Sequence, residues 1–163
     1  MHNKRILITG GAGLIGSHIA DLAVAEAKEV VILDNFVRGR RENLAKAMAS
    51  GKIRLIEGDI RDVAAVAAAM EGIDVVFHQA GQPGVRLSWS DGFEHYERLN
   101  IAATQRLLEA ACAVGGLRRF VFASSSSVYG NAATYPTDEC FLPRPHSPYG
   151  VTKLAAEHLC GLY

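Results

Sequence analysis

The feature that most constrains the fold is a repeated alternation between short apolar runs and segments of helical periodicity. Five runs rich in β-branched or aromatic residues end in small or polar residues, as buried parallel strands do, at 6–9, 30–34, 53–58, 75–79 and 120–124. Helices are predicted between them at 13–28, 41–50, 62–70 and 93–114, with a last helix beginning near Pro148. Right-handed crossovers between such units require a parallel sheet covered on both faces. We therefore predict a doubly wound α/β fold with strand order 3-2-1-4-5 and ligands at the carboxyl ends of the strands.

Composition excludes several classes of protein. The 163 residues fit one domain, and 17 basic residues balance 17 acidic ones without a basic block, so neither a nucleic-acid nor a membrane surface is expected. Cys112, Cys140 and Cys160 lie far apart, and the six histidines lack metal spacing, so we predict no disulfide framework and no metal site. The N-terminus leads directly into a strand, leaving no room for a secretory segment. A cytoplasmic protein is expected.

The turn after the first strand has the glycine spacing of a dinucleotide clamp. Gly10, Gly13 and Gly16 would permit a tight turn, a close approach of backbone to a pyrophosphate, and close packing of the next helix. Asp34 follows 24 residues after Gly10, near the distance expected for a carboxylate that binds the adenosine ribose. That carboxylate favours NAD over NADP, because it would repel a 2′-phosphate, although Arg38 and Arg40 nearby would offset this repulsion. The alternative is that Asp34 is a turn residue.

A candidate catalytic pair lies near the other end of the chain. Ser147 and Pro148 are typical of a helix start, and Tyr149 and Lys153 then share one helix face. A lysine cation at ~4 Å, at an effective dielectric of ~20, is of the right size to activate a phenol. The alternative is an ordinary pair on a helix surface. A hydroxyl from the serine run that begins at Ser124 would hold a substrate alcohol against Tyr149, unless that run is only a solvated turn.

Further residues are predicted at the same edge of the sheet. Gly81 follows the fourth strand and would allow close backbone approach, while Asn100 interrupts a helix and is read either as a site residue or as a buried polar link. Asp59 follows the third strand as an adenine neighbour or as a turn carboxylate before Asp62, which would cap the next helix.

Six motifs together resemble the extended short-chain dehydrogenase/reductase family, and within it the NAD-dependent nucleotide-sugar epimerases and dehydratases. They are TGGAGLIGSH, LDNF, EGDIRD, HQAG, SSSSVYG and SPYGVTK, and the resemblance runs from Lys4 to the last residue. It implies a Rossmann fold in which Ser125 is the catalytic hydroxyl, Tyr149 the base and Lys153 its partner. The cofactor-binding residues predicted from motifs and resemblance are Gly10, Gly13, Leu14, Ile15, Gly16, Asp34, Asn35, Asp59, Ile60, Gln79, Ala80, Gly81, Asn100, Ser124, Tyr149 and Lys153.

The resemblance also narrows the reaction. Nucleotide-sugar 4,6-dehydratases carry an Asp-Glu pair after the catalytic hydroxyl residue, and here Ser126 and Ser127 occupy those places. The segment 82–86 looks most similar to the UDP-glucuronate 4-epimerases, with the UDP-glucose 4-epimerases close. Arg86 would meet a carboxylate or a phosphate, or is a surface residue. Arg86, Ser125 and Ser126 are thus predicted to contact the substrate.

The expected function is that of an NAD-dependent UDP-sugar 4-epimerase acting through a transient 4-keto sugar. The alternatives are a UDP-glucuronate decarboxylase, another NAD-dependent sugar-nucleotide oxidoreductase or dehydratase, and a non-catalytic NAD-binding fragment. Residues 1–163 are expected to form the NAD-binding domain with the catalytic residues, most of a C-terminal substrate domain lying outside the chain. The expected partners are a nucleotide-sugar substrate and a second copy in a homodimer.

Overall fold

The computed structural model describes residues 2–132 and 134–163 of the chain. It divides into two units, the first made of Met1–Ala80 and Arg106–Ala123 and the second of Gly81–Gln105 and Ser124–Tyr163. No helix within these described residues has the length and apolar character needed to cross a membrane. The strands fall in the first unit, and Tyr149 and Lys153 fall in the second.

A parallel sheet of five strands forms the centre of the first unit. The strands are β1 (Arg5–Thr9), β2 (Glu29–Asp34), β3 (Ile53–Glu57), β4 (Val75–His78) and β5 (Arg119–Phe122). Their order is β3-β2-β1-β4-β5 and every neighbouring pair is parallel, which confirms the predicted topology. The order reverses beside β1, so the carboxyl ends of β1 and β4 lie at the switch point where open α/β sheets bind ligands.

Helices flank this sheet close to the predicted positions. They are α1 (Leu14–Glu26), α2 (Ala45–Met48), α3 (Val63–Met70) and the part of α5 (Ala103–Ala113) that begins at Arg106. The predicted helix at 41–50 begins instead as a 3-10 helix, Arg41–Leu44. Asp62 caps α3 as predicted, because its carboxylate accepts a hydrogen bond from the amide of Ala64 at 2.9 Å.

The core of the first unit follows from strand alternation. Residues at alternate positions of β1 and β2 point to the same face of the sheet, where they pack with small residues of α1 and with α2. Small side chains let α1 approach the sheet closely. The buried cluster comprises Ile6, Ile8, Ala12, Ala20, Ala23, Ala27, Val30, Ile32, Leu44 and Ala47.

The second unit is helical. Short 3-10 helices at Arg86–Ser88, Ser90–Gly92 and Ser126–Val128 accompany α4 (Phe93–Tyr96), a π-helix (Glu97–Ala102), the start of α5, and α6 (Pro148–Leu162). The prediction of one regular helix over 93–114 is therefore wrong in its middle, where π-helical turns surround the buried Asn100. Wide turns of this kind are rare and occur frequently at functional sites.

Candidate active site

The glycine turn of the first unit leaves the start of α1 open to a ligand. Gly10 has a φ of +67°, and a Cβ there would come within 2.7 Å of the Ala80 amide nitrogen. A Cβ on Gly16 would come within 2.3 Å of the Gly10 carbonyl oxygen. No side chain caps α1, whose first residues Leu14 and Ile15 are exposed. Uncapped amides at a helix start and a backbone free of side chains fit a bound pyrophosphate.

Asp34 lies beside this turn. It is the last residue of β2 and is 7% exposed. One carboxylate oxygen accepts a hydrogen bond from the Ala12 amide at 2.9 Å and the other from the Phe36 amide at 2.8 Å. The Asn43 side chain donates to the Ala12 carbonyl at 2.8 Å, so the segment after β2 is bound to the glycine turn as well. The carboxylate is therefore held next to the glycine turn, a position that fits recognition of an adenosine ribose.

Asp59 is held by a residue that the sequence did not single out. The Arg61 guanidinium donates to both carboxylate oxygens of Asp59 at 2.8 Å, and Asn35 donates to one of them at 2.8 Å. These hydrogen bonds hold the pKa of the Asp59 carboxyl well below its usual range, and the bonds from the Arg61 side chain have the largest effect. Ile60, which lies between Asp59 and Arg61 in the chain, is buried. The structure thus brings Asn35 and Asp59 together as an anionic, hydrogen-bonded pair at the end of β3.

Two buried polar side chains join the ends of β1 and β4. Thr9 Oγ1 and His78 Nδ1 are 2.7 Å apart, and the same hydroxyl accepts from the Ala80 amide at 3.3 Å. The Gln79 amide donates to the Thr9 carbonyl at 3.0 Å. The predicted residues Gln79 and Ala80 are therefore fixed against the glycine turn, and Thr9 and His78 are the supporting residues that motif reading left without a role.

Tyr149 and Lys153 of the second unit do not lie on an exposed helix surface. Ser147 caps α6 by accepting from the Gly150 amide at 3.1 Å, and Pro148 opens the helix as predicted. Tyr149 is 9% exposed and Lys153 is 7% exposed. Burial lowers the pKa of Lys153 to about 8, an effect partly offset by Cys160. A buried cation one turn from a buried phenol is the arrangement that proton transfer from an alcohol would use.

The ammonium group of Lys153 lies close to the predicted residues Gly81 and Asn100. A Cβ on Gly81 would be 3.6 Å from Lys153 Nζ and 3.0 Å from Asn100 Oδ1. Asn100 Oδ1 accepts from the Gln82 amide at 2.8 Å, while its nitrogen donates to Thr152 Oγ1 at 3.1 Å. Asn100 is thus a buried polar link, and that link joins the segment after Gly81 to α6, the helix that carries Tyr149.

The serine run contacts the start of α6. A Cβ on Gly150 would be 2.5 Å from the Ser127 carbonyl oxygen, so only glycine allows this approach. Ser125 is half-buried and its hydroxyl accepts from the Ser127 amide at 3.2 Å, while Ser124 and Ser126 are exposed. Arg86 is also exposed. The structure brings the serine run to the start of α6, the helix that carries Tyr149, and leaves Arg86 at the surface.

Family membership follows from comparison with known proteins. The model of the NAD dependent epimerase/dehydratase family matches residues 6–163, so the chain belongs to that family. Membership confirms the predicted cofactor, NAD, which fits the backbone cradle and the Asp34 carboxylate of the first unit.

Individual relatives agree with this assignment. The chain is 42% identical to an uncharacterized UDP-glucose epimerase of Bacillus subtilis, covering 98% of this chain and 51% of that protein. It is 40% identical to the UDP-glucose 4-epimerase of Mycolicibacterium smegmatis, with the same coverage of 98% and 51%. The crystal structure of UDP-glucuronic acid 4-epimerase from Bacillus cereus, in complex with UDP-glucuronic acid and NAD, superposes with a TM-score of 0.89 at 40% identity, covering 98% of this chain and 52% of that one. The chain thus spans about half the length of these relatives.

Proposed function

We propose that this chain is the NAD-binding and base-bearing part of a UDP-sugar 4-epimerase. The observation that carries the proposal is the buried Tyr149 and Lys153 pair, one helical turn apart on α6 beside the Ser125 segment. The similarity to two UDP-glucose epimerases and to a UDP-glucuronic acid 4-epimerase supports a UDP-linked hexose or hexuronic acid as substrate.

Each residue has a defined task in this proposal. The phenolate of Tyr149 takes the proton of the sugar 4-hydroxyl and later returns it, while the Ser125 hydroxyl donates a hydrogen bond to the same oxygen. The Lys153 ammonium stabilises the phenolate by its charge. Bound NAD supplies the hydride acceptor and donor for the sugar C4, so that the sugar passes through a 4-keto form and the cofactor is regenerated. On the first unit, Asp34 binds the adenosine ribose and the start of α1 binds the pyrophosphate.

The test removes the base without removing the ring. Tyr149→Phe should abolish interconversion of UDP-glucose and UDP-galactose, or of UDP-glucuronate and UDP-galacturonate, because no phenol remains to carry the proton. NAD affinity, measured by calorimetry, should be kept. Tyr135→Phe is a matched control, because Tyr135 is exposed and lies outside the pair. A Tyr149→Phe chain that retains the wild-type rate would refute the mechanism.

The same assay separates the rival activities. Carbon dioxide released from UDP-glucuronate would identify a decarboxylase, and free NADH would identify a net oxidoreductase. NAD binding without any turnover would identify a non-catalytic NAD-binding fragment. Products resolved by anion-exchange chromatography distinguish all of these outcomes.

We also propose a homodimer, as the resemblance implies. The support is apolar surface on α4 and α6, where Phe93 and Val151 are exposed. They line a groove of about 570 Å³ in the second unit together with Trp89, Pro145, His146, Ser147 and Pro148. Exposed apolar patches of this kind mark interaction surfaces. Sedimentation equilibrium would decide between a monomer and a dimer.

A further inference from the structure

Ser88 is a fully buried hydroxyl that neither the motifs nor the resemblance single out. It ends the 3-10 helix Arg86–Ser88 and is 0% exposed, although the neighbouring residues of its loop are exposed. A hydroxyl buried to this degree is costly unless it forms hydrogen bonds. Its partners therefore indicate why a serine is present.

The first turn of α6 provides one partner. The Ser147 cap accepts from the Gly150 amide, and Pro148 has no N–H to satisfy. The Tyr149 amide lies between Pro148 and the Gly150 amide in the chain, and it donates to Ser88 Oγ at 3.1 Å. The residue with the proposed base is thus bonded through its own backbone to a residue 61 positions earlier in the chain.

The loop provides the other partner. The Ser88 hydroxyl donates to the Val85 carbonyl at 2.6 Å, so its lone pairs are free to accept from Tyr149. Tyr96 holds the same loop, because its hydroxyl donates to the Gly84 carbonyl at 2.7 Å. The Tyr96 ring also meets the Tyr149 ring nearly edge-on, with centroids 6.1 Å apart.

The opposite end of the 82–88 loop is bound to the same helix through Asn100. Asn100 accepts from the Gln82 amide at 2.8 Å and donates to Thr152 Oγ1 at 3.1 Å. The Thr152 hydroxyl then donates to the Tyr149 carbonyl at 2.8 Å. The loop therefore holds the Tyr149 N–H directly through Ser88, and it reaches the Tyr149 C=O indirectly, through Asn100 and Thr152.

We propose that Ser88 is a positioning residue for Tyr149, acting on the phenol through the backbone N–H of that residue. The proposal rests on the proposed function, in which the phenol transfers the proton of a sugar hydroxyl. Without the Ser88 hydroxyl, the Tyr149 amide loses its acceptor, and this residue keeps the contacts with the Thr152 hydroxyl and the Tyr96 ring. A displacement of about 1 Å in a reacting group costs up to about 100-fold in rate, so a partial displacement would cost about tenfold.

The experiment compares Ser88→Ala with Ser90→Ala in the full 163-residue chain. Ser90 is exposed and lies two residues after Ser88, at the start of the next 3-10 helix, which makes it a matched control. Ser88→Ala should lower kcat for the UDP-sugar about tenfold while KM and the Kd for NAD stay at wild-type values. Ser90→Ala should change none of the three. An unchanged kcat in Ser88→Ala, or a kcat loss accompanied by equal changes in KM and in the Kd for NAD, would overturn the proposal.

A second measurement does not depend on turnover. The exchange of the Tyr149 backbone amide with deuterium, followed by NMR, reports whether this N–H is held by an acceptor. Ser88→Ala should reduce the protection of this amide and Ser90→Ala should not. If the wild-type chain shows no epimerisation, the proposed function fails, and the amide protection alone then decides the Ser88 proposal: reduced protection supports it and equal protection overturns it. If Ser88→Ala does not fold, Ser88→Cys replaces it, because a thiol of similar size accepts hydrogen bonds only weakly and should give an intermediate loss in both measurements.

Discussion

The buried ammonium of Lys153 makes the stability of this protein depend on pH in an unusual direction. Burial lowers the pKa of Lys153 from 10.5 to about 8 in the folded chain, and unfolding restores the ordinary value. Between these two values the unfolded chain binds more protons than the folded one, so the free energy of unfolding rises as pH rises. Below about pH 8, Lys153 is charged in both the folded and the unfolded chain, so the free-energy cost of burying its charge is present in full. Above pH 10.5, Lys153 is neutral in both the folded and the unfolded chain, and this free-energy cost disappears.

The size of the effect follows from the same two values. The gap between 10.5 and about 8 corresponds to about 3 kcal/mol of unfolding free energy. About 2 kcal/mol of it should be recovered between pH 7.5 and 9.5, because the folded chain loses its proton over that interval while the unfolded chain keeps it. That change is large enough for denaturant titration to resolve.

The assay is urea unfolding of the wild type and of Lys153→Met at pH 7.5 and 9.5, without NAD, followed by circular dichroism. Other groups titrate in both proteins and cancel in the comparison, so the wild type should gain about 2 kcal/mol more than the variant. Lys28→Met is the control, because Lys28 is exposed. Wild type and Lys153→Met with the same pH dependence would show that the ammonium is not held in an environment that disfavours charge.

Three other substitutions test the first unit. Gly16→Ala would push a methyl group to 2.3 Å from a carbonyl oxygen of the glycine turn, so calorimetry should show NAD binding lost, whereas Gly161→Ala, with nothing within 4 Å, should bind normally; equal affinities would contradict the clamp. Asp62→Ala removes the cap of α3 and should lower the free energy of urea unfolding by about 1 kcal/mol. No loss would mean that the cap contributes nothing. Asp34→Ala leaves the buried Ala12 amide without its acceptor and should cost about 1–3 kcal/mol while weakening NAD binding; a variant as stable as the wild type would refute that account.

Features with a local cause were predicted well from the sequence. The helix start at Ser147 and Pro148 and the cap at Asp62 depend on neighbouring residues, so motif reading found both. The strand order was also predicted, because alternating strands and helices with right-handed crossovers leave few topologies open. Strand ends differed by one or two residues, as expected where the last hydrogen bonds depend on the partner strand.

Features with a distant cause were missed. The Asn100 side chain, within the π-helix, forms hydrogen bonds with Gln82 and Thr152, which are 18 and 52 residues away. Ser88 looks like any loop serine until its bond to the Tyr149 amide is seen. The role of Arg61 was missed as well, because only the structure shows that its guanidinium donates to both carboxylate oxygens of Asp59.

The sequence by itself determined the parallel sheet, the glycine turn that fits NAD and the spacing of Tyr149 and Lys153, because each depends on steric and hydrogen-bonding preferences that act over a few residues. Only the tertiary structure decided that Tyr149 and Lys153 are buried and that Asp34 is bonded to the glycine turn. It also decided that a loop 61 residues away holds the backbone of Tyr149. Burial and long-range hydrogen bonds arise from packing between distant segments, and packing is what converts a common five-residue spacing into a pair whose charge and position are controlled.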